Sequence, residues 1–183
     1  MDEYIVQVIK LAEKISEIMC ENLGLESSYF KKAISGVAGP SMGAKVAKYP
    51  QCPQPELVKG LREHTDAGGI ILMLHDDQVP GLPFLKDGKW VEIPPSKNNT
   101  ISVNTGDQVE VLTNGRYKST LHRVMGDKNG SRLSIATFYN PADDAIISPA
   151  PICSCIPTTI VFKTSSTFMP RPSSQIRVPD WNP

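Results

Sequence analysis

Three residues of this sequence have the types and spacing of a metal site. His64 and Asp66 are separated by one residue, and His122 lies far downstream. Side chains alternate between the two faces of an extended segment, so His64 and Asp66 project to the same side. Two imidazoles and one carboxylate on one face of a metal are the ligand set typical of non-haem Fe(II) oxygenases. The pattern therefore predicts an iron site, against the alternative of histidines with purely structural roles.

A second pair, Arg132 and Ser134, follows the same alternation. A guanidinium and a hydroxyl on one face of a strand suit a carboxylate bound in the same cavity. The alternation also puts Phe138 on that face, which favours a pocket lining over an exposed salt bridge. His75 ends an apolar run and stays open as a competing iron ligand.

The N-terminal residues have helical periodicity. Apolar side chains recur every three or four positions across residues 2–23, and Gly24 follows as a C-cap. Ser27 or Ser28 begins a shorter predicted helix that ends at Gly36. We assign residues 1–48 to an N-terminal helical segment that packs on the core.

From there the sequence changes to short β-type runs separated by turn residues. The predicted strands are residues 70–74, 90–93, 101–103, 109–112 and 132–139. Hairpin turns are predicted at Asp87-Gly88, Asn114-Gly115 and Asn129-Gly130. The expected fold is mainly β with N-terminal helices, and its core, residues 49–151, is a double-stranded β-helix, or jelly roll. Residues 152–183 form a Pro/Ser-rich tail with one short strand predicted at 159–163.

Composition limits the class of partner. The chain has 183 residues, enough for one domain, and a formal net charge of +0 from 19 Lys+Arg and 19 Asp+Glu. The chain has no excess of basic residues that would favour binding to nucleic acid, and no apolar stretch is long enough to span a membrane. We expect a small-molecule partner. With no secretory signal at its start, the protein is expected to be cytoplasmic, with its four cysteines as free thiols.

Longer segments of the sequence match a known family. These are GLREHTDAGGII at residues 60–71, GDQVEV at 106–111, LHRV at 121–124 and FYNP at 138–141. They resemble the plant Fe(II)- and 2-oxoglutarate-dependent oxygenase superfamily. Within it, the HTDAGGIIL run and Gly43-Ala44-Lys45-Val46 resemble the 1-aminocyclopropane-1-carboxylate oxidase (ethylene-forming) family. The resemblance extends over residues 1–151.

The resemblance implies roles for individual residues. His64, Asp66 and His122 hold Fe(II), and Lys45 lies near the active site. Arg132 and Ser134 match the pair that binds the 2-oxoglutarate carboxylate in most relatives, and that is associated with bicarbonate or ascorbate in the ethylene-forming family.

The implied reaction is oxidation of 1-aminocyclopropane-1-carboxylate to ethylene by dioxygen, with ascorbate as reductant and bicarbonate or CO2 as activator. The first alternative is a 2-oxoglutarate-dependent hydroxylase or desaturase of a plant metabolite. The second is a catalytically inactive metal-binding module.

The sequence departs from the family at both ends. It lacks the family's N-terminal portion, and after Pro151 it diverges from the charged helical segment that the family has there. We therefore expect exposed apolar surface and self-association, and activity impaired by truncation. His75 stands where the family often has glutamine, and Ala44 where threonine is common.

Overall fold

The computed structural model describes residues 2–75, 78–95, 97 and 100–151, and the backbone of residues 162–163. The helices are α1 (Asp2–Asn22), α2 (Tyr29–Ser35) and α3 (Asp107–Leu112), with a 3-10 turn at Pro55–Leu57. The strands are β1 (Ser41–Tyr49), β2 (Lys59–His64), β3 (Ile70–His75), β4 (Pro83–Lys86), β5 (Lys89–Glu92), β6 (Ser102–Thr105), β7 (His122–Met125), β8 (Arg132–Asn140), β9 (Ile146–Ile147) and β10 (Phe162–Lys163).

Eight of the ten described strands form two four-stranded antiparallel sheets, and β9 pairs with β10. The sheet with the longer strands has the order β1-β8-β3-β6, and we call it the larger sheet. The other, the smaller sheet, has the order β2-β7-β4-β5. The chain passes back and forth between the two sheets, as in a jelly roll. The prediction of a mainly β fold with N-terminal helices and a double-stranded β-helix core is confirmed.

The larger sheet has two faces with different roles. Ser134 of β8 is opposite Ala47 of β1 and His75 of β3, so these residues share a face, which we call the inner face. On the outer face, apolar side chains pack against α1 and α2 around the fully buried Tyr139 and Leu72. One sheet therefore carries the helix-covered core on one side and the polar candidate residues on the other.

The first two helices form as their sequences indicate. α1 buries Val8, Ala12 and Met19 along one stripe, and Gly24 follows its end with a positive φ of 71°, a conformation that glycine adopts without strain. α2 begins after Ser28, whose side chain makes no capping hydrogen bond. The apolar stripe of α1 covers the outer face of the larger sheet.

The assignment of residues 1–48 to a helical segment is wrong for residues 41–48. These residues lie in β1, which pairs with β8 from Ser41↔Asn140 to Tyr49↔Arg132. Gly39 and Pro40 end the helical region, and nine consecutive positions of antiparallel pairing then satisfy the backbone. The jelly roll therefore begins at residue 41.

The strand predicted at residues 109–112 is also wrong, since these residues belong to α3. The apolar pattern of Val109 and Leu112 fits one buried helix face. Gly106 precedes the helix where a Cβ atom would lie 2.6 Å from the carbonyl oxygen of Asp66. This close approach lets the Asp107 N–H donate to that oxygen at 2.7 Å, so tertiary contacts override the local β-type composition.

Of the three predicted hairpin turns, one joins paired strands. Asp87 and Gly88 both have positive φ and connect β4 to β5. Asn114 and Gly115 also have positive φ but follow the end of α3. Asn129-Gly130 connects β7 to β8, which belong to different sheets. The last two hairpin predictions are wrong.

The predicted tail lies largely outside the described residues. Phe162–Lys163 forms β10 and pairs with β9, within the stretch 159–163 where a strand was predicted. Cys20 and Cys52 are free thiols, whereas Cys153 and Cys155 lie outside the described residues. Among the helices of the described part, none has the length and apolar character to span a bilayer.

Candidate metal centre

The structure brings His64, Asp66 and His122 together. His64 ends β2 and His122 begins β7, and the two residues are directly opposite each other in the ladder between these strands. His64 Nε2 lies 3.8 Å from Asp66 Oδ1, and His122 Nε2 lies 3.5 Å from Asp66 Oδ2. One potential ligand atom from each residue lies within 4.8 Å of the other two. The three predicted ligands therefore converge on one point.

Backbone contacts fix the tautomer of both histidines. Nδ1 of His64 lies 2.8 Å from the carbonyl oxygen of Arg62, and Nδ1 of His122 lies 3.0 Å from that of Thr120. A carbonyl oxygen can only accept, so each Nδ1 carries the proton. Nε2 of each ring is thus left facing Asp66, the arrangement that metal-binding histidines use.

The carboxylate of Asp66 is held by a neighbouring amide. Asn104 of β6 donates from Nδ2 to Asp66 Oδ2 at 2.8 Å, and the carboxylate side chain is 13% exposed. The N-terminus of α3 binds the carbonyl oxygen of the same residue. Side chain and backbone of Asp66 are therefore both fixed before any ligand arrives.

The two histidines differ in accessibility. The His122 side chain is 5% exposed and stacks on Phe84, with ring centroids 4.8 Å apart. The side chain of His64 is 33% exposed. The site is closed on the side of β4 and open on the side of His64, which leaves a route for a small molecule.

Arg132 and Ser134 lie on the inner face and are buried. The Arg132 guanidinium donates to Met73 Sδ at 3.8 Å and lies 5.8 Å from the ring centroid of Tyr49. Burial raises the pKa of the Tyr49 hydroxyl, so this ring remains neutral beside the cation. A buried guanidinium and a hydroxyl on the metal-facing side of the sheet can bind a carboxylate.

His75 lies on the same inner face, directly opposite Ser134. It is 7% exposed, and its Nε2 lies 2.8 Å from Ser102 Oγ. Within the described residues it is not part of the three-residue group that could hold a metal. The structure therefore associates His75 with Arg132 and Ser134 and not with the metal ligands.

The two remaining candidates lie further out on this face. Lys45 is opposite Ala136 on the edge strand β1 and is exposed. Phe138 is half-buried and lies opposite Ile71. Both share the face of Arg132 and Ser134.

The donor set fits a divalent iron ion. Two imidazole nitrogens and a carboxylate oxygen suit Fe(II), and the outer contacts from Arg62, Thr120 and Asn104 orient them. Sequence reasoning missed Asn104 and Phe84. Asn104 lies just beyond the strand predicted at residues 101–103, and its partner Asp66 lies in a loop, so the period of the strand did not reveal this contact.

Comparisons with known proteins agree with this geometry. Residues 41–141 match the family described as the 2OG-Fe(II) oxygenase superfamily. Over 151 residues, 82% of this chain, the sequence is 73% identical to 1-aminocyclopropane-1-carboxylate oxidase 1 of Arabidopsis thaliana, of which it covers 49%. It is 59% identical to 1-aminocyclopropane-1-carboxylate oxidase 2 of Malus domestica, of which it covers 46%.

A solved structure shows the same similarity in three dimensions. The crystal structure of JOX2 in complex with 2OG, Fe and JA superposes with a TM-score of 0.77 at 41% sequence identity, covering 82% of this chain and 44% of that one. The chain spans about half the length of the curated relatives that it matches.

Proposed function

The chain belongs to the 2OG-Fe(II) oxygenase superfamily, and we propose that it oxidises 1-aminocyclopropane-1-carboxylate to ethylene with Fe(II) held by His64, Asp66 and His122. The convergence of these three ligand atoms within 4.8 Å carries the proposal. The 73% identity to 1-aminocyclopropane-1-carboxylate oxidase 1 of Arabidopsis thaliana supports the choice of substrate.

Each metal ligand has a defined part in this proposal. When bound, Fe(II) supplies coordination positions for the substrate and dioxygen and the redox chemistry between them. His64 and His122 would bind the ion through Nε2, and Asp66 would offset part of the metal charge. Asn104 keeps the carboxylate turned toward the histidines, so little reorganisation is needed on binding.

Arg132, Ser134 and Lys45 supply the charge complementarity. Arg132 and Ser134 bind a carboxylate or bicarbonate on the inner face, where burial strengthens the interaction. Lys45 adds a second cation at the edge of that face, and Phe138 lines it. Ascorbate is the reductant and bicarbonate or CO2 the activator in this proposal, supported by the similarity to the ethylene-forming oxidases.

The proposed reaction balances with ascorbate as the second electron donor. The amino acid loses two electrons and two protons as it breaks down to ethylene, carbon dioxide and cyanide. Ascorbate loses another two of each. Dioxygen accepts all four and leaves as two waters. The chain's own contribution is to orient the substrate and exclude bulk water.

The test combines metal titration with product detection. Anaerobic Fe(II) titration of the unsubstituted chain is expected to show one site, and Asp66→Ala is expected to weaken it strongly. Headspace chromatography after addition of amino acid, ascorbate and air should detect ethylene. Tight iron binding by Asp66→Ala would refute the assignment of the ligands. Lys14→Met, on the exposed side of α1, is the control.

A second candidate function is a 2-oxoglutarate-dependent oxygenase. The buried Arg132 and Ser134 favour it, as does the similarity to a structure solved with 2OG and Fe. Succinate release that depends on 2-oxoglutarate would support this candidate, and ethylene release that depends on ascorbate would support the first. Fe(II) binding without either product would support a catalytically inactive metal-binding module.

We also propose that the chain self-associates. Val46 and Leu133 lie on the outer face of the neighbouring strands β1 and β8 and are 53% and 48% exposed. Exposed apolar side chains on one sheet face favour association. Light scattering across a dilution series, with Leu133→Lys as the disrupting variant, tests this. We further propose a cytoplasmic location, which suits the free thiols Cys20 and Cys52 and is tested by cell fractionation.

A further inference from the structure

The smaller sheet carries a charged and aromatic cluster on the side that points away from the metal centre. Arg123 follows His122 on β7, and Glu63 precedes His64 on β2. Arg123 Nη1 donates to Glu63 Oε1 at 3.1 Å. The Cζ atom of Arg123 lies 4.1 Å from the ring centroid of Trp90 on β5. We refer to Arg123, Glu63 and Trp90 as the outer clamp.

The backbone pairing between β2 and β7 is irregular next to the metal ligands. Its paired positions are Lys59↔Met125, Leu61↔Val124 and His64↔His122, with a register shift in each interval. In each interval β2 has one residue more than β7, as in a β-bulge. Glu63 and Arg123 lie in the second interval, immediately beside the histidine pair. The His64↔His122 pair therefore ends the ladder, and no regular pairing adjoins it.

The outer clamp connects the strands across this irregular interval. Arg123 is 23% exposed and Glu63 is 33% exposed, so their ion pair is partly shielded from solvent. Lys59 binds the same carboxylate at 3.0 Å and holds it against β2. The stacking of Arg123 on Trp90 extends the contact to β5. This strand is separated from β7 by β4, which pairs with both of them. One side chain thus contacts two other strands.

We propose that Arg123 is a positioning residue that sets the His64–His122 separation from the opposite face of the sheet. The inference rests on the proposed metal function, since the separation matters only if these histidines share an ion. Contacts that orient metal ligands typically change metal affinity by about 10- to 100-fold when removed. Loss of the outer clamp should fall near the lower end of that range, because Arg123 binds Glu63 and Trp90 and acts on the histidines through the strand backbones.

The test compares charge removal at Arg123 with the same change at a remote ion pair. Arg123→Met keeps an unbranched side chain but removes the guanidinium, and with it both the ion pair with Glu63 and the stacking on Trp90. Lys31→Met breaks the ion pair between Lys31 and Glu13 on the helices, with its 2.8 Å distance, and is the matched control. Each variant is titrated anaerobically with Co(II) as a spectroscopic substitute for iron, and its urea midpoint is measured without metal.

The expected result is a Co(II) affinity about tenfold weaker for Arg123→Met, with an altered visible spectrum and a urea midpoint shifted no more than that of Lys31→Met. Arg123→Lys should recover most of the affinity because it keeps the pair with Glu63. Should Arg123→Met fail to fold, Glu63→Gln takes its place with the same expectation.

Three outcomes would overturn the proposal. One is Co(II) affinity and a spectrum unchanged in Arg123→Met. Another is weaker binding with a matching loss of urea stability that Lys31→Met does not show, since that means general destabilisation. The third is absence of Co(II) binding by the unsubstituted chain, which would overturn the proposed function as well. Unchanged binding by the variant beside tight binding by the unsubstituted chain refutes only the role of Arg123.

Discussion

Asn104, on β6 of the larger sheet, donates a hydrogen bond to the proposed metal ligand Asp66, and its substitution should weaken metal binding. Asn104→Ala deletes the 2.8 Å hydrogen bond from the amide to Oδ2 of the Asp66 carboxylate. A hydrogen bond to a charged group contributes about 1.5–3 kcal/mol. The carboxylate is 13% exposed, so water replaces that bond only in part.

The expected loss of metal affinity follows from this value. The Asn104 amide holds the Asp66 carboxylate in its binding orientation before the metal arrives. Without the amide, part of the metal's binding free energy is used to orient the carboxylate. With about 1.4 kcal/mol for each tenfold change, the loss in affinity is at most roughly 10- to 100-fold. Asn104→Asp is not a suitable comparison, because it adds a carboxylate beside the site.

Anaerobic Co(II) or Fe(II) titration measures the effect, and Ser102→Ala is the control. Ser102 is on the same strand and the same face, but it contacts His75. We expect Ser102→Ala to bind the metal as the unsubstituted chain does. Equal affinities for Asn104→Ala and Ser102→Ala would show that the amide does not orient the carboxylate, and would refute the reasoning.

Three further predictions concern stability and reactivity. Burial raises the pKa of Tyr139 to about 12, so between about pH 10 and 12 the unfolded chain loses this proton first, and the stability of the fold falls as the pH rises. In urea unfolding, Tyr139→Phe should be as stable as the unsubstituted chain at pH 8 and more stable than it at pH 10.5. Identical unfolding curves for the two proteins at both pH values would contradict this. Leu72→Ala, at a fully buried position, should lower the free energy of unfolding by about 2–5 kcal/mol; a loss below about 1 kcal/mol would mean that the outer-face core is not packed as described. Burial also raises the pKa of the Cys20 thiol. Under native conditions at pH 8, a thiol reagent should therefore modify the half-buried Cys52 before Cys20, and peptide mass spectrometry measures the order. The reverse order would contradict the burial of Cys20.

The parts of the fold that the sequence predicted are those with a strong local period. α1 has a long apolar stripe, and β8 alternates over nine residues. The His64 and Asp66 ligands were predictable for the same reason, since one intervening residue places both on one side. His122 could be assigned because few histidines exist in the chain.

The errors arose where tertiary contacts decide the local structure. Val109 and Leu112 suit a strand by composition, yet the Asp107 N–H binds the Asp66 carbonyl oxygen and starts a helix. β1 was missed because its small and charged residues lack a strong β signal, and it forms through its pairing with β8. Asn104 was missed because its partner lies in a loop, and loop placement cannot be read from periodicity.

The alternation along β8 has a consequence for how the protein tolerates change. Odd-numbered positions such as Thr137 and Tyr139 pack beneath the helices, and even-numbered positions such as Arg132 and Ser134 face the metal centre. In a saturation survey of this strand, substitutions at Tyr139 other than phenylalanine should reduce the amount of folded protein in cells. Polar replacements at Arg132 and Ser134 should instead leave abundance closer to normal while abolishing turnover. Two different genetic phenotypes would therefore arise from positions only a few residues apart on one strand.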